Sequence, residues 1–223
     1  MPALMQPQHF EAQLIQQVKL SYLLYLPPEY DQHDVWPLLL FLHGGGERGN
    51  DLYRLYNHGI PRLIHEGQQF PFIIAAPQCN LPYRWSDQVD ALARLVEALM
   101  ADYKVDSARI YLTGMSQGGC GAWHLAMRYR HLFAALAIVC GYRPYTYGYA
   151  EKLLPLCDLP IWAFHGGKDE VVDVSETEKM VAALEQHGAP VRYTPLPDAN
   201  HQQCWEQAYA LPELYEWLLK QSR

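Results

Sequence analysis

The stretch Leu112-Thr113-Gly114-Met115-Ser116-Gln117-Gly118-Gly119 decides the fold of this chain. A short β-type run from Arg109 to Leu112 leads into the pattern Gly-x-Ser-x-Gly, and a helix-compatible stretch follows it. A serine at the tip of such a sharp turn has a strained backbone, and the flanking glycines let the two arms of the turn pass closely. The turn exposes the serine hydroxyl and directs the first N–H groups of the helix towards any oxygen that develops charge beside it. Ser116 is therefore a candidate nucleophile.

The Gly-x-Ser-x-Gly pattern also occurs in ordinary glycine-containing loops, in which the serine only caps a helix. Context separates the two cases. A nucleophile of this kind needs a strand before it, a helix after it, and an acid and a histidine downstream in that order. The chain has all of these features, with Asp169 and His201 as the downstream candidates.

Apolar runs of strand length alternate with helix-compatible stretches along the chain. The run from Trp36 to Leu42 is unbroken, which is typical of a parallel strand buried on both faces. We predict further strands at 18–26, 70–76, 109–112, 134–140, 159–164 and 191–196. We predict helices at 86–103 with Ser86 as N-cap, at 117–129, 175–187 and 205–220, and two short helices within 51–66, broken at Gly59-Ile60-Pro61. This alternation predicts an α/β fold, a mostly parallel sheet with helices on both faces.

Length and composition indicate one globular domain. The 223 residues are enough for a single α/β domain with a substantial core, and half of them are hydrophobic. We therefore expect one domain over residues 1–223, with the glutamine-rich segment 1–17 peripheral to it.

Charge and cysteine usage limit the partners and the compartment. A net charge of -7 without a Lys/Arg cluster argues against a nucleic-acid surface. The first ten residues lack the basic and apolar regions of a signal peptide, and no apolar run is long enough to span a membrane. The five cysteines include no C-x-x-C pair, which favours reduced thiols and a cytoplasmic protein. No metal-binding spacing such as His-Glu-x-x-His occurs, so we expect neither a metal nor a cofactor.

Four motifs carry a resemblance to a known family. They are His43-Gly-Gly-Gly, Gly114-Met-Ser-Gln-Gly, His165-Gly-Gly-Lys-Asp169, and the closing Asn200-His201 with Trp205, Ala208-Tyr209 and Leu214-Tyr215-Glu-Trp217. In this order, from about Val18 to the end, the chain resembles the α/β-hydrolase superfamily. It is most similar to the small phospholipase/carboxylesterase and dienelactone-hydrolase-like esterases, and more distantly to peptidase-related esterases. The resemblance implies Ser116 as nucleophile, Asp169 as triad acid and His201 as general base.

The chemistry of acyl transfer agrees with these three roles. A serine hydroxyl is a poor nucleophile at neutral pH, so an imidazole must accept its proton and later return it to the leaving group. A histidine suits this work because its pKa is near neutrality. A carboxylate then fixes the tautomer of the imidazole and stabilises the imidazolium.

Among the ten histidines, His201 has the best position for the base. It lies in a predicted loop after the last strand, where a mobile ring could reach Ser116. His43 and His165 end buried strands ahead of glycines, which favours structural hydrogen bonds within those turns. The remaining histidines fall in helices or in surface-type segments.

Three aspartates compete for the role of the acid. Asp169 follows the strand at 159–164 through a Gly-Gly loop, at the end of the sheet where Ser116 is expected. Asp173 has a structural interpretation, because it precedes the next helix and its charge would stabilise the helix dipole. Asp158 precedes the strand and so lies at the wrong end of the sheet. We predict Asp169.

The oxyanion hole follows from the resemblance, because backbone donors leave no side-chain signal. This fold uses the N–H of the residue after the nucleophile, here Gln117, and one from the loop after an early strand. In that loop Gly45 is our first choice for the donor and Gly44 our second. Glu47 and Arg48 either border the pocket or pair with each other on the surface, and we favour the surface pair.

The connection between the strands at 134–140 and 159–164 bears on the substrate. Larger α/β-hydrolases insert a helical cap there, but 141–158 has only about 18 residues, too few for a cap of several helices. We expect an open site in which Trp85, Tyr142 and Tyr145 bind substrate. Aromatic walls with polar tips suit a short or aromatic acyl group better than a long lipid chain.

The resulting prediction is a cofactor-independent serine hydrolase that cleaves small carboxylic esters through an acyl-enzyme intermediate. A peptidase, a thioesterase or a lactone hydrolase would use the same three residues with a different pocket. A catalytically silent binding protein is a more distant alternative, since it would be expected to lack part of the triad. Cys120 is not expected to compete with Ser116, because it should pack beneath the turn as a small hydrophobic residue. The sequence does not predict the oligomeric state.

Overall fold

The computed structural model describes residue 11, residues 17–144 and residues 153–223. Seven strands form one sheet in the order β1-β3-β2-β4-β5-β6-β7. The strands are β1 Tyr22–Tyr25, β2 Trp36–Leu42, β3 Ile73–Pro77, β4 Val105–Met115, β5 Ala135–Val139, β6 Ile161–Gly166 and β7 Val191–Leu196. Strand β1 is an antiparallel edge strand, and the other neighbouring strands run parallel. The mostly parallel sheet is confirmed.

Helices cover both faces of the sheet. They are α1 Gly59–His65, α2 Val89–Asp102, α3 Gln117–Arg128, α4 Ser175–Gln186, α5 His201–Ala210 and α6 Pro212–Leu219. Residues of α2, α3 and α4 pack into one hydrophobic core, and residues of α1, α5 and α6 pack into the other. All residues of β2, β3, β5 and β6 are buried, because helices pack on both sides of these strands.

Several predicted boundaries are wrong for local reasons. Ser86 is not the N-cap of α2, because a 3-10 turn at Trp85–Asp87 precedes that helix. The predicted helix 205–220 is two helices, since Pro212 starts a new helix at a position where its missing N–H costs nothing. Helix α5 begins at His201, four residues earlier than predicted, because Asn200 and Gln203 form a capping box.

The β5–β6 connection is described only in part. Its described residues include a 3-10 turn at Leu154–Leu156, whereas residues 145–152 lie outside the described part of the chain. Tyr145, a predicted substrate-binding residue, is among the latter. Within the described residues, no helix has both the length and the hydropathy needed to cross a membrane.

Candidate active site

Ser116 lies at a sharp turn between β4 and α3. Its backbone has φ 54 and ψ -119, a left-handed conformation that costs a non-glycine residue about 1–3 kcal/mol. The turn is held from both sides, because the Ser116 N–H donates to the Val139 carbonyl and the Cys120 N–H donates to the Ser116 carbonyl. The predicted strand, serine and helix are therefore present in this order, and the strain is concentrated on the candidate nucleophile.

Two glycines allow this turn to form. A Cβ on Gly114 would overlap the Gly118 carbonyl, and a Cβ on Gly118 would overlap the Leu42 carbonyl of β2. Both obstacles are backbone atoms, which cannot rotate away as a side chain does. The close approach of α3 to β4 and β2 therefore requires glycine at both positions.

We expect Gly114→Ala and Gly118→Ala each to destabilise the protein by about 1–3 kcal/mol or more, the range for inserting a methyl group into a closely packed site. Gly46→Ala is the matched control, since a Cβ there would meet nothing within 4 Å. Urea unfolding of the three variants measures the difference. Equal stability of Gly46→Ala and Gly114→Ala would show that the turn does not depend on this close approach.

His201 links Ser116 to Asp169. Its Nε2 lies 2.9 Å from the Ser116 Oγ, and its Nδ1 lies 2.6 Å from the Asp169 Oδ2. Because a carboxylate only accepts hydrogen bonds, Nδ1 carries the proton and Nε2 is left to accept from the Ser116 hydroxyl. The prediction that His201 lies in a loop is wrong, because it is the first residue of α5, where Trp205 packs against its ring.

Asp169 is fully buried and well supplied with donors. Its Oδ1 accepts the N–H groups of Val171 and Val172, each at 2.9 Å. Burial acts to raise the pKa of this carboxyl, but hydrogen bonds from His165, His201 and the two backbone N–H groups outweigh it and lower the pKa. Asp169 is therefore an anion throughout the neutral range, as a partner of an imidazolium must be.

Asp173 does not reach His201. It lies ahead of α4, where its Oδ1 accepts the Ser175 N–H at 2.9 Å. Hydrogen bonds to Ser175 lower its pKa. The structural interpretation of Asp173 as an acid at a helix N-terminus agrees with this geometry.

His43 organises the glycine-rich loop that follows β2. Its Nδ1 donates to the Gly44 carbonyl at 2.6 Å, while its Nε2 accepts the Cys79 N–H at 3.0 Å, which assigns the neutral tautomer. Burial lowers the pKa of His43 to about 4. The indole of Trp85 donates to the His43 carbonyl at 3.0 Å and so joins the loop at 84–86 to this turn. His43 thus forms the structural hydrogen bonds that were expected of it in this turn.

The prediction that Glu47 and Arg48 pair with each other on the surface is wrong for Glu47. The side chain of Glu47 is only 8% exposed and faces His43 and His58, each at 3.8 Å. Burial raises its pKa, whereas His58 and the backbone N–H groups of Glu47 and Gly44 act in the opposite direction. Arg48 instead donates to the Gly45 carbonyl.

Two of the predicted oxyanion donors, Gln117 and Gly44, lie next to Ser116. Gln117 is the first residue of α3, so its N–H has no partner within the helix. Gly44 is close as well, since a Cβ placed on it would lie 3.7 Å from the Ser116 Cβ and 3.2 Å from the Glu47 Oε2. The second donor stays a prediction, with Gly45 as the first choice and Gly44 as the second.

A pocket of about 250 Å³ lies next to Gln117. Among its lining residues are Arg84, Trp85, Gln117, Cys120, His124 and Tyr142. Two predicted substrate-binding residues, Trp85 and Tyr142, therefore line one cavity, which Gln117, the residue after Ser116, also lines. Cys120 also borders it but is buried, as expected for a small hydrophobic residue, and burial raises its pKa to about 12, which keeps it a neutral thiol.

Sequence reasoning missed one aromatic neighbour of the site, Trp205. Trp205 lies between two histidines, with ring centroids 5.0 Å from His201 and 5.5 Å from His58. His201 and Trp205 are four residues apart, a spacing that places two side chains on the same face of a helix. This contact could be predicted only if α5 were known to begin at His201.

One group of possible metal ligands overlaps the site. Ligand atoms of Cys140, Asp169 and His201 lie within 4.8 Å of one another. Burial raises the pKa of the Cys140 thiol well above its usual value, whereas a metal ligand must be a thiolate. The carboxylate and the imidazole already bond to each other. This donor set therefore fits a hydrogen-bonded triad better than a metal.

The chain is similar to several known proteins. A family model described as phospholipase/carboxylesterase matches residues 83–215. A bifunctional acetylxylan esterase/xylanase from Neocallimastix patriciarum is 28% identical over 148 residues, which cover 64% of this chain and 20% of that protein. An acyl-protein thioesterase 1 homolog from Dictyostelium discoideum is 34% identical over 84 residues, which cover 36% of this chain and 37% of that protein.

The solved structure of a thermostable esterase is also similar. It superimposes with a TM-score of 0.78 at 30% identity, over 92% of this chain and 60% of that one. The chain thus spans between a fifth and about a third of the two curated relatives, and somewhat more than half of the esterase chain.

Proposed function

Because the chain belongs to the phospholipase/carboxylesterase family and has the α/β-hydrolase fold, we propose that it is a serine hydrolase that cleaves carboxylic esters. The observation that carries the proposal is the continuous hydrogen-bond chain from the Ser116 Oγ through His201 to Asp169, with distances of 2.9 and 2.6 Å. In this proposal Ser116 is the nucleophile, His201 the general base and Asp169 the acid that orients it.

The reaction follows from these positions. His201 Nε2 accepts the hydroxyl proton as the Ser116 Oγ attacks the ester carbonyl, and a tetrahedral oxyanion forms. The N–H groups of Gln117 and Gly45 donate to that oxyanion. His201 then returns the proton to the departing alcohol, and water hydrolyses the acyl-serine by the same steps in the second half of the reaction. Asp169 stays ionised and stabilises the imidazolium in both halves.

The size of the pocket supports a small acyl or alcohol group. About 250 Å³ beside Gln117 accommodates a short chain or one ring, whereas a long acyl chain needs an extended apolar tunnel. Arg84, Trp85 and Tyr142 are among its lining residues, and the Trp85 side chain is fully buried with its indole N–H bonded to the His43 carbonyl. We propose that Tyr142 contacts the substrate, together with Tyr145, which lies outside the described residues, and that the buried Trp85 supports the wall of the pocket.

We expect kcat/KM to be highest for short-chain or aromatic p-nitrophenyl esters and to fall along the series from acetate to palmitate. The limited volume of the pocket is the reason. We also expect no interfacial activation, meaning no jump in rate above the solubility limit of the ester, because the β5–β6 connection is too short for a large moving lid. Steady-state kinetics along this series is the measurement. A maximum at the long-chain end would contradict the proposed substrate class.

A thioesterase activity is the second candidate, favoured by the similarity to the acyl-protein thioesterase homolog. A panel in which an ester, a thioester and an amide share one butyryl group tests the alternatives directly. The proposal predicts the highest kcat/KM for the ester. A higher value for the thioester would assign the alternative function, and hydrolysis of the amide at a comparable rate would indicate a peptidase.

We also propose a cytoplasmic location, in which the enzyme acts on small-molecule esters. All five cysteines are free, as expected in a reducing compartment.

A further inference from the structure

His165 is a second histidine at the triad acid. It lies at the end of β6, is fully buried, and places its Nε2 3.2 Å from the Asp169 Oδ2. The same Nε2 lies 2.9 Å from the Val172 carbonyl oxygen. A carbonyl and an ionised carboxylate only accept hydrogen bonds, so Nε2 must carry a proton.

The other ring nitrogen of His165 is held by a threonine. Its Nδ1 lies 2.7 Å from the Thr177 Oγ1, on α4, and that hydroxyl lies 3.2 Å from the Gly141 carbonyl, which follows β5. The hydroxyl proton can be directed either to the ring or to the carbonyl. In both arrangements the Nε2 of His165 keeps its proton, so its role as a donor to Asp169 does not depend on the position of the Thr177 proton.

These contacts complete the donor set of Asp169. Two backbone N–H groups bind its Oδ1, and the His201 Nδ1 donates to its Oδ2. The His165 Nε2 lies 3.2 Å from the same Oδ2, and it shares its single proton between this carboxylate and the Val172 carbonyl. Without His165, the carboxylate could rotate about its last bond, and His201 would then lose its alignment with Ser116. Buried hydrogen bonds of this kind fix a reacting group through its neighbour, and a misplacement of about 1 Å costs roughly 10²-fold in rate.

We propose that His165 is the positioning residue of Asp169, and that Thr177 holds its ring in the orientation in which Nε2 donates to the carboxylate. The inference rests on the proposed function, because it concerns the same triad. It assigns a task to the histidine of the His165-Gly-Gly-Lys-Asp169 motif beyond a hydrogen bond within its own turn.

Few other titratable groups face this cluster in the described residues. Cys140 approaches from the end of β5, and burial keeps it a neutral thiol by raising its pKa. Asp173, between β6 and α4, is close enough to His165 for a charge interaction. If replacing His165 changes the pH dependence of catalysis, the change therefore reflects mainly the titration of Asp169 and His201.

The test compares His165→Gln with His165→Met. The glutamine amide can still donate to Asp169, whereas methionine fills the space without a donor. We expect His165→Met to lower kcat by roughly 10²-fold with little change in KM, and His165→Gln to restore most of the loss. In His165→Met the carboxylate loses its alignment with His201 and stabilises the imidazolium less, so the acid limb of kcat/KM should move to lower pH. A purely structural loss would lower kcat without moving that limb.

Two milder variants, both at Thr177, provide a second test if His165→Met does not fold. Thr177→Val removes the hydroxyl with little change in shape, and Thr177→Ser retains it. The proposal predicts a lower kcat and altered ¹⁵N shifts of a single histidine in Thr177→Val, and near-normal values in Thr177→Ser. Unchanged kinetics in folded His165→Met, or equal damage in the Gln and Met variants, would overturn it. Failure of the proposed function is distinguishable, because the wild-type protein would then hydrolyse no ester at all.

Discussion

Ser116→Ala is expected to lower kcat for ester hydrolysis by about 10⁴- to 10⁶-fold, the range observed when a triad serine hydrolase loses its nucleophile. The fold should be unaffected, because Gly114 and Gly118 permit the close packing of the turn and alanine can occupy the same strained conformation as serine. Purified Ser116→Ala and wild-type enzyme are compared with p-nitrophenyl butyrate, and circular dichroism checks the fold.

Cys120→Ala is the matched control for this variant. Cys120 borders the same pocket and is the other potential nucleophile near the turn, but burial raises its pKa to about 12, so it has very little thiolate at neutral pH. We expect Cys120→Ala to retain most of the activity. Substantial hydrolysis by Ser116→Ala together with loss of activity in Cys120→Ala would transfer the nucleophilic role to the thiol.

The second large effect concerns the base and the acid. His201→Ala should be nearly as damaging as Ser116→Ala, and Asp169→Asn should lower kcat by about 10⁴-fold. The reason for the smaller loss is that asparagine can preserve the position of the ring while favouring the wrong tautomer. Asp173→Asn should leave kcat within a few fold, because Asp173 bonds to Ser175 and not to His201.

The contrast between the two aspartate variants identifies the acid. Both substitutions remove one negative charge from neighbouring positions, so a general electrostatic effect would appear in both. A larger fall in kcat for Asp173→Asn than for Asp169→Asn would show that Asp169 is not the triad acid.

The fold could be predicted largely from local patterns. The unbroken apolar run Trp36–Leu42 and the strand Val191–Leu196 are confirmed with their boundaries. The first ends at the polar His43, and a proline stands on each side of the second. The strand before Ser116 is longer than predicted, since Val105 already pairs with Trp36 of β2, and the polar residues between Val105 and Ile110 lie at a register shift where the apolar pattern is broken. Pairing between strands that are distant in sequence leaves no signal in a short stretch of residues.

The site could be predicted less completely. The order of Ser116, Asp169 and His201 follows from motifs, but their contacts join residues 85 and 32 positions apart and depend on the parallel order of β4, β5 and β6. The start of α5 had a signal, the Asn200 and Gln203 capping box, which was not recognised. The burial of Glu47 had none, since it results from contacts with His43 and His58 that only the folded chain creates.

The most direct test of the central claim is labelling of the wild-type protein with a fluorophosphonate, followed by mass spectrometry of its peptides. An activated serine forms a covalent phosphonyl adduct, whereas an ordinary serine does not react. We predict a single adduct on Ser116, accompanied by complete loss of esterase activity and absent from Ser116→Ala. A protein that hydrolyses esters but takes up no label, or carries it on a residue other than Ser116, would contradict the account.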